Sequence, residues 1–123
     1  MLPDGCRMED AMNESLIGVP VTLVDVVEPQ GGAVVSREIV RAEQGTVTVF
    51  AFDTGQGLSE HTAPFDAMVV ALEGEVEITI AGTAHRVSAG QMLIMPAHKP
   101  HALLALSPFK MLLVMIRAQK PRE

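Results

Sequence analysis

Short apolar segments recur along the chain about every ten residues, and glycine or proline separates most of them. The clearest alternation is in residues 75–80, where Val76, Ile78 and Ile80 share one strand face and the residues between them are polar. No segment places apolar residues at the spacing of an amphipathic helix. The pattern predicts an all-β chain of roughly nine or ten short strands, closed as a barrel or a sandwich.

The first apolar segment, residues 16–27, is rich in β-branched residues but contains Pro20, which has no N–H for a central ladder position. We expect it to be an edge strand or an exchanged strand. A hairpin near Gly45 is predicted to follow it. Residues 16–117 are predicted to form a single domain, with a flexible N-terminus at 1–15 and a frayed C-terminus at 118–123.

Composition narrows the class of protein further. The chain has 123 residues and a hydrophobic share of 48%, yet no apolar run reaches the roughly 18–20 residues of a membrane span. The apolar excess and the segment at 16–27 predict a homodimer that packs or exchanges edge strands. Cys6 is the single cysteine, so no internal disulfide can form and a cytoplasmic location is expected.

Charge and aromatic content argue against nucleic acid as a partner. The formal net charge is −6, the basic residues are scattered, and the chain has no Trp and no Tyr. Nucleic-acid binding needs a clustered positive surface, and single strands also need stacking aromatics. We expect a small-molecule ligand, with no nucleic acid and no membrane.

Two glycine-to-histidine stretches carry the candidate chemistry. Five residues separate Gly55 from His61, and Gly90 is followed by Pro96, His98 and His101. These stretches resemble the first and second motifs of the cupin family, in the right order, and between them lies a hairpin whose first strand ends at Gly74. The resemblance covers about residues 45–117. It implies a small RmlC-like cupin with a double-stranded β-helix (jelly-roll) barrel, and again a homodimer.

In many cupins two histidines and a glutamate of the first motif and one histidine of the second bind a divalent metal. His61 and His101 match two of these positions, whereas Ala63 and Ala67 replace the second histidine and the glutamate. Because a zinc, iron, manganese or nickel site normally needs at least three protein ligands, His61 and His101 alone would bind weakly. His98 is a candidate third ligand. Asp66 is another, although strand alternation turns it away from the face of Ala67.

The two alanines also predict a void in the barrel, because small side chains toward the axis leave space. Such a void binds an apolar ligand, admits a side chain of a partner, or collapses. Methionines are expected to line part of it, from Met68, Met92, Met95, Met111 and Met115. His85 is expected to pack on the far side of the barrel. The predicted pocket residues are His61, Ala63, Ala67, Val69, His98, His101 and Leu103.

The sequence therefore favours a cupin-fold protein that binds a small, largely apolar molecule in the barrel lumen near His61 and His101. The alternative is a metal-dependent enzyme of dioxygenase or isomerase type, with Zn, Fe, Mn or Ni held by His61, His101 and either His98 or water. No catalytic residue can be named, since the serines lack the context of a nucleophile elbow and no glycine loop opens a helix.

Overall fold

The computed structural model describes residues 11–12 and 14–118. This part of the chain contains ten strands and two short 3₁₀ turns, Glu14–Leu16 and Leu23–Asp25. The strands are β1 (Ala11–Met12), β2 (Val34–Ala42), β3 (Gly45–Phe52), β4 (Gly57–His61), β5 (Phe65–Glu73), β6 (Glu75–Ile80), β7 (Thr83–Ser88), β8 (Met92–Met95), β9 (His101–Ala105) and β10 (Phe109–Arg117). The predicted hairpin forms between β2 and β3, with Gly45 as the first residue of β3.

The strands make two antiparallel sheets that face each other. One has six strands in the order β1-β2-β3-β10-β5-β8, and the other has four in the order β4-β9-β6-β7. Strands distant in sequence, such as β3 and β10, are neighbours in the sheet, as in a jelly roll. The predicted all-β jelly-roll class is confirmed. No helix in the described ranges is long and apolar enough to cross a membrane.

The main core lies between the inner faces of the two sheets. Val76 and Ile78 of β6 are fully buried, as the alternation of residues 75–80 predicts. Phe52 and Phe109 meet in this core with ring centroids 5.6 Å apart. These large side chains fill one end of the barrel, so any open space must lie toward the other end.

The outer face of the six-stranded sheet is also apolar, but only one end of it is covered. There, Val27 and the chain around the second 3₁₀ turn pack on Val49 and Ala51. Beyond this cover, Met92, Ile94 and Ile116 each keep more than half of their surface exposed. Part of the apolar excess in the composition is therefore on a sheet surface rather than in the core.

The strand predicted in residues 16–27 is wrong for the single chain, because the segment forms bends and the 3₁₀ turn Leu23–Asp25. Side chains of the underlying sheet donate hydrogen bonds to the carbonyl groups of this segment. The ammonium group of Lys110 donates a hydrogen bond to the carbonyl oxygen of Val24, and Arg37 donates one to that of Val26. These contacts satisfy polar backbone groups that would otherwise need a ladder partner.

Two other expectations concern positions away from the barrel interior. His85 on β7 is exposed, so its predicted packing is wrong; it lies beside other exposed residues at the outer edge of the four-stranded sheet. The predicted loose termini, 1–15 and 118–123, lie mostly outside the described residues. Of the first, Ala11 and Met12 pair with β2.

Candidate ligand-binding site

His61 and His101 face each other across β4 and β9 because β4 carries one extra residue. Leu58 pairs with Leu103, and the next aligned pair is His61 with His101, so Ser59 and Glu60 together oppose a single residue of β9. Without this β-bulge, Glu60 would stand opposite His101. A bulge of this kind re-aims the side chains that follow it. Here it brings His61 to the inner side.

Close backbone packing at the start of β4 holds the two strands in this register. A Cβ atom added to Gly57 would lie 2.1 Å from the carbonyl oxygen of Leu103. Only glycine leaves room for such an approach. The position of His61 therefore depends on a residue four positions earlier in the chain.

Both imidazoles are held in one tautomer by backbone carbonyl groups. The Nδ1 atom of His61 lies 2.7 Å from the carbonyl oxygen of Ser59, and that of His101 lies 3.1 Å from the carbonyl oxygen of Lys99. A carbonyl only accepts hydrogen bonds, so each Nδ1 must carry the proton. In the neutral rings each Nε2 is consequently a hydrogen-bond acceptor. The two ring centroids are 4.4 Å apart in an edge-to-face arrangement.

The two histidines differ in their exposure to water. His61 is exposed at the barrel mouth, whereas His101 keeps only 5% of its surface exposed. Burial lowers the pKa of His101 because it disfavours the charged imidazolium; the Lys99 carbonyl opposes this, and the nearby His61 adds to it. The inner member of the pair is thus held in its neutral form.

A cavity opens beside this pair at the end of the barrel that the aromatic core leaves unfilled. Its volume is about 50 Å³, and the empty space is about 400 Å³ when the solvent-open region at the mouth is included. Its wall is apolar apart from the imidazoles. The lining residues are Leu58, His61, Ala63, Phe65, Ala67, Met95, His101, Leu103, Met111, Leu113 and Met115. The site is an apolar recess with two hydrogen-bond acceptors.

Ala67 lies at the centre of the wall formed by the six-stranded sheet. It pairs with Met115 of β10 on one side and with Met95 of β8 on the other. All three line the cavity. Flexible thioether side chains thus flank the position where the metal-binding cupins have their glutamate, and the alanine between them leaves the space open.

Of the seven predicted pocket residues, five lie around the cavity: His61, Ala63, Ala67, His101 and Leu103. Val69 is not in the wall. It is fully buried deeper in the core, since it follows Ala67 on the same face but lies nearer the packed end.

His98 does not lie in the cavity wall either. It is exposed, and its backbone has a φ of 67°, in the left-handed region that favours glycine. Its N–H donates a hydrogen bond to the carbonyl oxygen of Ala63, which fixes the loop before β9. The contribution of His98 in the structure is a backbone contact, and the imidazole does not join the other two.

Among the methionines, Met95, Met111 and Met115 line the cavity, whereas Met68 and Met92 do not. Met68 pairs with Ile94 and is adjacent to Ala67 in the chain, so alternation places it on the outer face of the sheet. Sequence reasoning also missed three wall residues, Leu58, Phe65 and Leu113. Phe65 and Leu113 share the strand faces of Ala67 and Met111, so applying strand alternation from those two residues would have found them.

The residues present do not fit a conventional divalent metal site. In residues 14–118 no three His, Cys, Asp or Glu side chains come close enough to hold a metal ion. His98 is elsewhere, and the carboxylate of Asp66 accepts a hydrogen bond from the N–H of Ala97. Two imidazoles are fewer than the three or four protein ligands usual for zinc and similar ions.

Comparisons with known proteins agree with this architecture. A family model described as a cupin domain matches residues 39–116. A conserved protein of unknown function from Streptococcus pyogenes has a similar structure, with 36% identity over 93% of this chain and 100% of that one, and a TM-score of 0.84. A cupin superfamily protein from Desulfitobacterium hafniense shares 27% identity over 82% of this chain and 93% of its own, with a TM-score of 0.78.

A cupin 2 conserved barrel domain protein from Leptotrichia buccalis has 37% identity over 76% of this chain but only 46% of its own length, with a TM-score of 0.74. No curated protein matches the chain significantly.

Proposed function

We propose that this chain, which belongs to the cupin family, binds a small, largely apolar molecule in the recess beside His61 and His101. The observation that supports this most directly is the cavity between Ala63, Ala67 and the two imidazoles. Its wall is apolar, and the alanines stand where the metal-binding members of the family have ligands. Filling an apolar space of this kind with an apolar molecule is more favourable in free energy than filling it with water.

The size of the cavity limits the guest. A cavity volume of about 50 Å³ accommodates on the order of four water-sized groups, so a short carbon chain fills it and a ring extends into the mouth. Each buried CH₂ contributes about 0.8 kcal/mol of transfer free energy. The wider mouth leaves room for the rest of a larger ligand near His61. Binding is therefore driven by burial, and the imidazoles orient the guest.

The methionines provide a direct test with toluene as an apolar probe. We expect toluene to shift the ¹³C-methyl NMR signals of Met95, Met111 and Met115, which line the cavity. The signals of Met68 and Met92, on the outer sheet face, serve as internal controls and should not move. Equal shifts at all five methionines, or none at any, would contradict binding in this recess.

A metal-dependent enzyme of dioxygenase or isomerase type is the second candidate. One observation favours it: both Nδ1 atoms are bound by carbonyl groups and both Nε2 atoms are left available, as in metal-bound histidines. The shortage of a third ligand favours the first candidate. Elemental analysis of the purified protein separates the two. We expect no stoichiometric transition metal. One tightly bound ion per chain would make the metal-dependent enzyme the better-supported candidate.

We also propose that two copies of the chain associate through the uncovered outer face of the six-stranded sheet. Ile94 and Ile116 are 54% and 60% exposed on that face, and Ile17 of the neighbouring segment is 57% exposed. A chain of net charge −6 repels its own copies, so this largely apolar face is the surface on which they can meet.

Light scattering at micromolar protein concentration tests this association. We expect a dimer, and we expect Ile94→Asp to shift it toward the monomer. Leu104→Asp is the matched control, because Leu104 is an exposed apolar residue on the other sheet. A wild-type monomer, or equal effects of both substitutions, would refute the proposal.

A further inference from the structure

The two Nε2 atoms specify the polar part of the ligand. Each imidazole, in its neutral form, uses its only proton at Nδ1, toward Ser59 and Lys99 respectively, so it can only accept at Nε2. No other hydrogen-bonding side chain belongs to the cavity wall. A guest that places a hydrogen-bond donor between the imidazoles therefore finds partners, whereas a guest with acceptors alone finds none in the wall.

We infer that the ligand is an uncharged amphiphile, such as an alcohol or a phenol, whose hydroxyl donates to Nε2 of His61 or His101 while its carbon body enters the recess. This inference rests on the proposed binding function. It adds the chemical class of the ligand and its orientation. The histidines lie at the mouth and Met111 lies in the core, so the hydroxyl points outward and the carbon body inward.

Charged ligands fit this wall poorly. A carboxylate needs donors or a positive charge, yet both Nδ1 atoms are bonded to carbonyl groups and no Lys or Arg side chain lines the cavity. An ammonium ion needs a nearby carboxylate, and no acidic side chain lines the cavity. Transferring either ion from water into an apolar recess without such a partner is costly. An uncharged donor avoids both costs.

Phenol, toluene and benzoate form a matched set of probes for this inference. Toluene replaces the hydroxyl of phenol with a methyl group of similar size, and benzoate replaces it with a carboxylate. Their dissociation constants can be measured from the methyl signals of Met95, Met111 and Met115. The chain lacks Trp and Tyr, so intrinsic fluorescence is a poor alternative.

The comparison is made in the wild type and in three variants. His61→Leu and His101→Leu each remove one acceptor, and His61 is exposed, so that variant should fold even if the other does not. His85→Leu is the control, since His85 is exposed on β7, away from the cavity. In the wild type and the control we expect phenol to bind more tightly than benzoate. We expect the ratio of the phenol affinity to the toluene affinity to decrease by about twofold to tenfold in His61→Leu or His101→Leu.

An unchanged phenol-to-toluene ratio in both acceptor variants would overturn the inference, and so would benzoate as the tightest probe. In either case, toluene binding at the three cavity methionines would leave the proposed function intact. Failure of all three probes to shift those methionines would instead overturn the proposed function itself.

Discussion

Substitution of Ala67 by valine tests whether the recess is real, because it adds two carbon atoms directly to the open space. Ala67 is 4% exposed, and it borders the cavity between Met95 and Met115. Two buried carbons are worth at most about 1.6 kcal/mol of transfer free energy, from which fixing the new side chain takes roughly 0.5 kcal/mol. We expect Ala67→Val to raise the free energy of unfolding by about 1 kcal/mol.

Ala71→Val is the matched control. Ala71 lies on the same strand and the same face, is 2% exposed and belongs to the packed core, but it does not line the cavity. Adding carbon atoms to filled space forces neighbouring side chains apart and costs about 1–3 kcal/mol. Any gain in β-propensity from valine applies to both variants. The free energies of unfolding of the two variants should therefore differ by about 2–4 kcal/mol.

Urea unfolding followed by far-ultraviolet circular dichroism measures both values, and the slope of each transition checks that unfolding remains two-state. Ala67→Val should also weaken toluene binding, since it occupies the same space. If the two variants change stability in the same direction and by similar amounts, the wall around Ala67 is as well packed as that around Ala71. The reasoning for an apolar guest would then fail.

Two further predictions concern the histidine pair. Gly57→Ala should lower the free energy of unfolding by about 1–3 kcal/mol, because its Cβ would collide with the carbonyl oxygen of Leu103; Gly31→Ala, in open space, is the control for the same urea experiment. The lowered pKa of His101 predicts that the free energy of unfolding decreases as the pH drops below about 6.5. In that range the unfolded chain binds a proton that the folded chain does not, and the loss of stability levels off below the pKa of the folded state. Unfolding of the wild type and His101→Gln from about pH 7.5 to about pH 5.5 checks this: the variant should lose that part of the pH dependence, and identical profiles would refute it.

Much of the fold could be predicted because the strand signals are local. Alternation placed Val76 and Ile78 in the core, and the resemblance of the Gly55–His61 and Gly90–His101 stretches to the cupin motifs implied the barrel that closes them. The strand prediction for residues 16–27 was wrong because a β-branched composition does not show whether the backbone has a neighbouring strand to pair with. Their carbonyl groups bond to Lys110 and Arg37, side chains distant in sequence. Such contacts belong to the tertiary structure and leave no periodic pattern.

The candidate site could be predicted in part for the same reason. The resemblance to the cupin motifs identified His61, Ala67 and His101, and these line the cavity together with the predicted Leu103. His98 was grouped with them because its loop, between Pro96 and Pro100 and just before His101, was expected at the barrel mouth. The left-handed backbone at His98 decides otherwise, since it ties the loop to Ala63 through the main chain while the side chain is exposed. Proximity in sequence did not place its side chain in the recess.

The β-bulge in β4 determines the chemistry of the site more than any single side chain does. If the register continued from Leu58 and Leu103 without the extra residue, Glu60 would face His101. A carboxylate at that position would stabilise the imidazolium and raise the pKa of His101, and the mouth would hold an ion pair. With the extra residue, a second imidazole stands there instead, and desolvation keeps His101 neutral. Because both Nδ1 atoms are already bonded to carbonyl groups, this one shift in register replaces a carboxylate at the mouth with a second imidazole and gives the apolar recess two Nε2 acceptors.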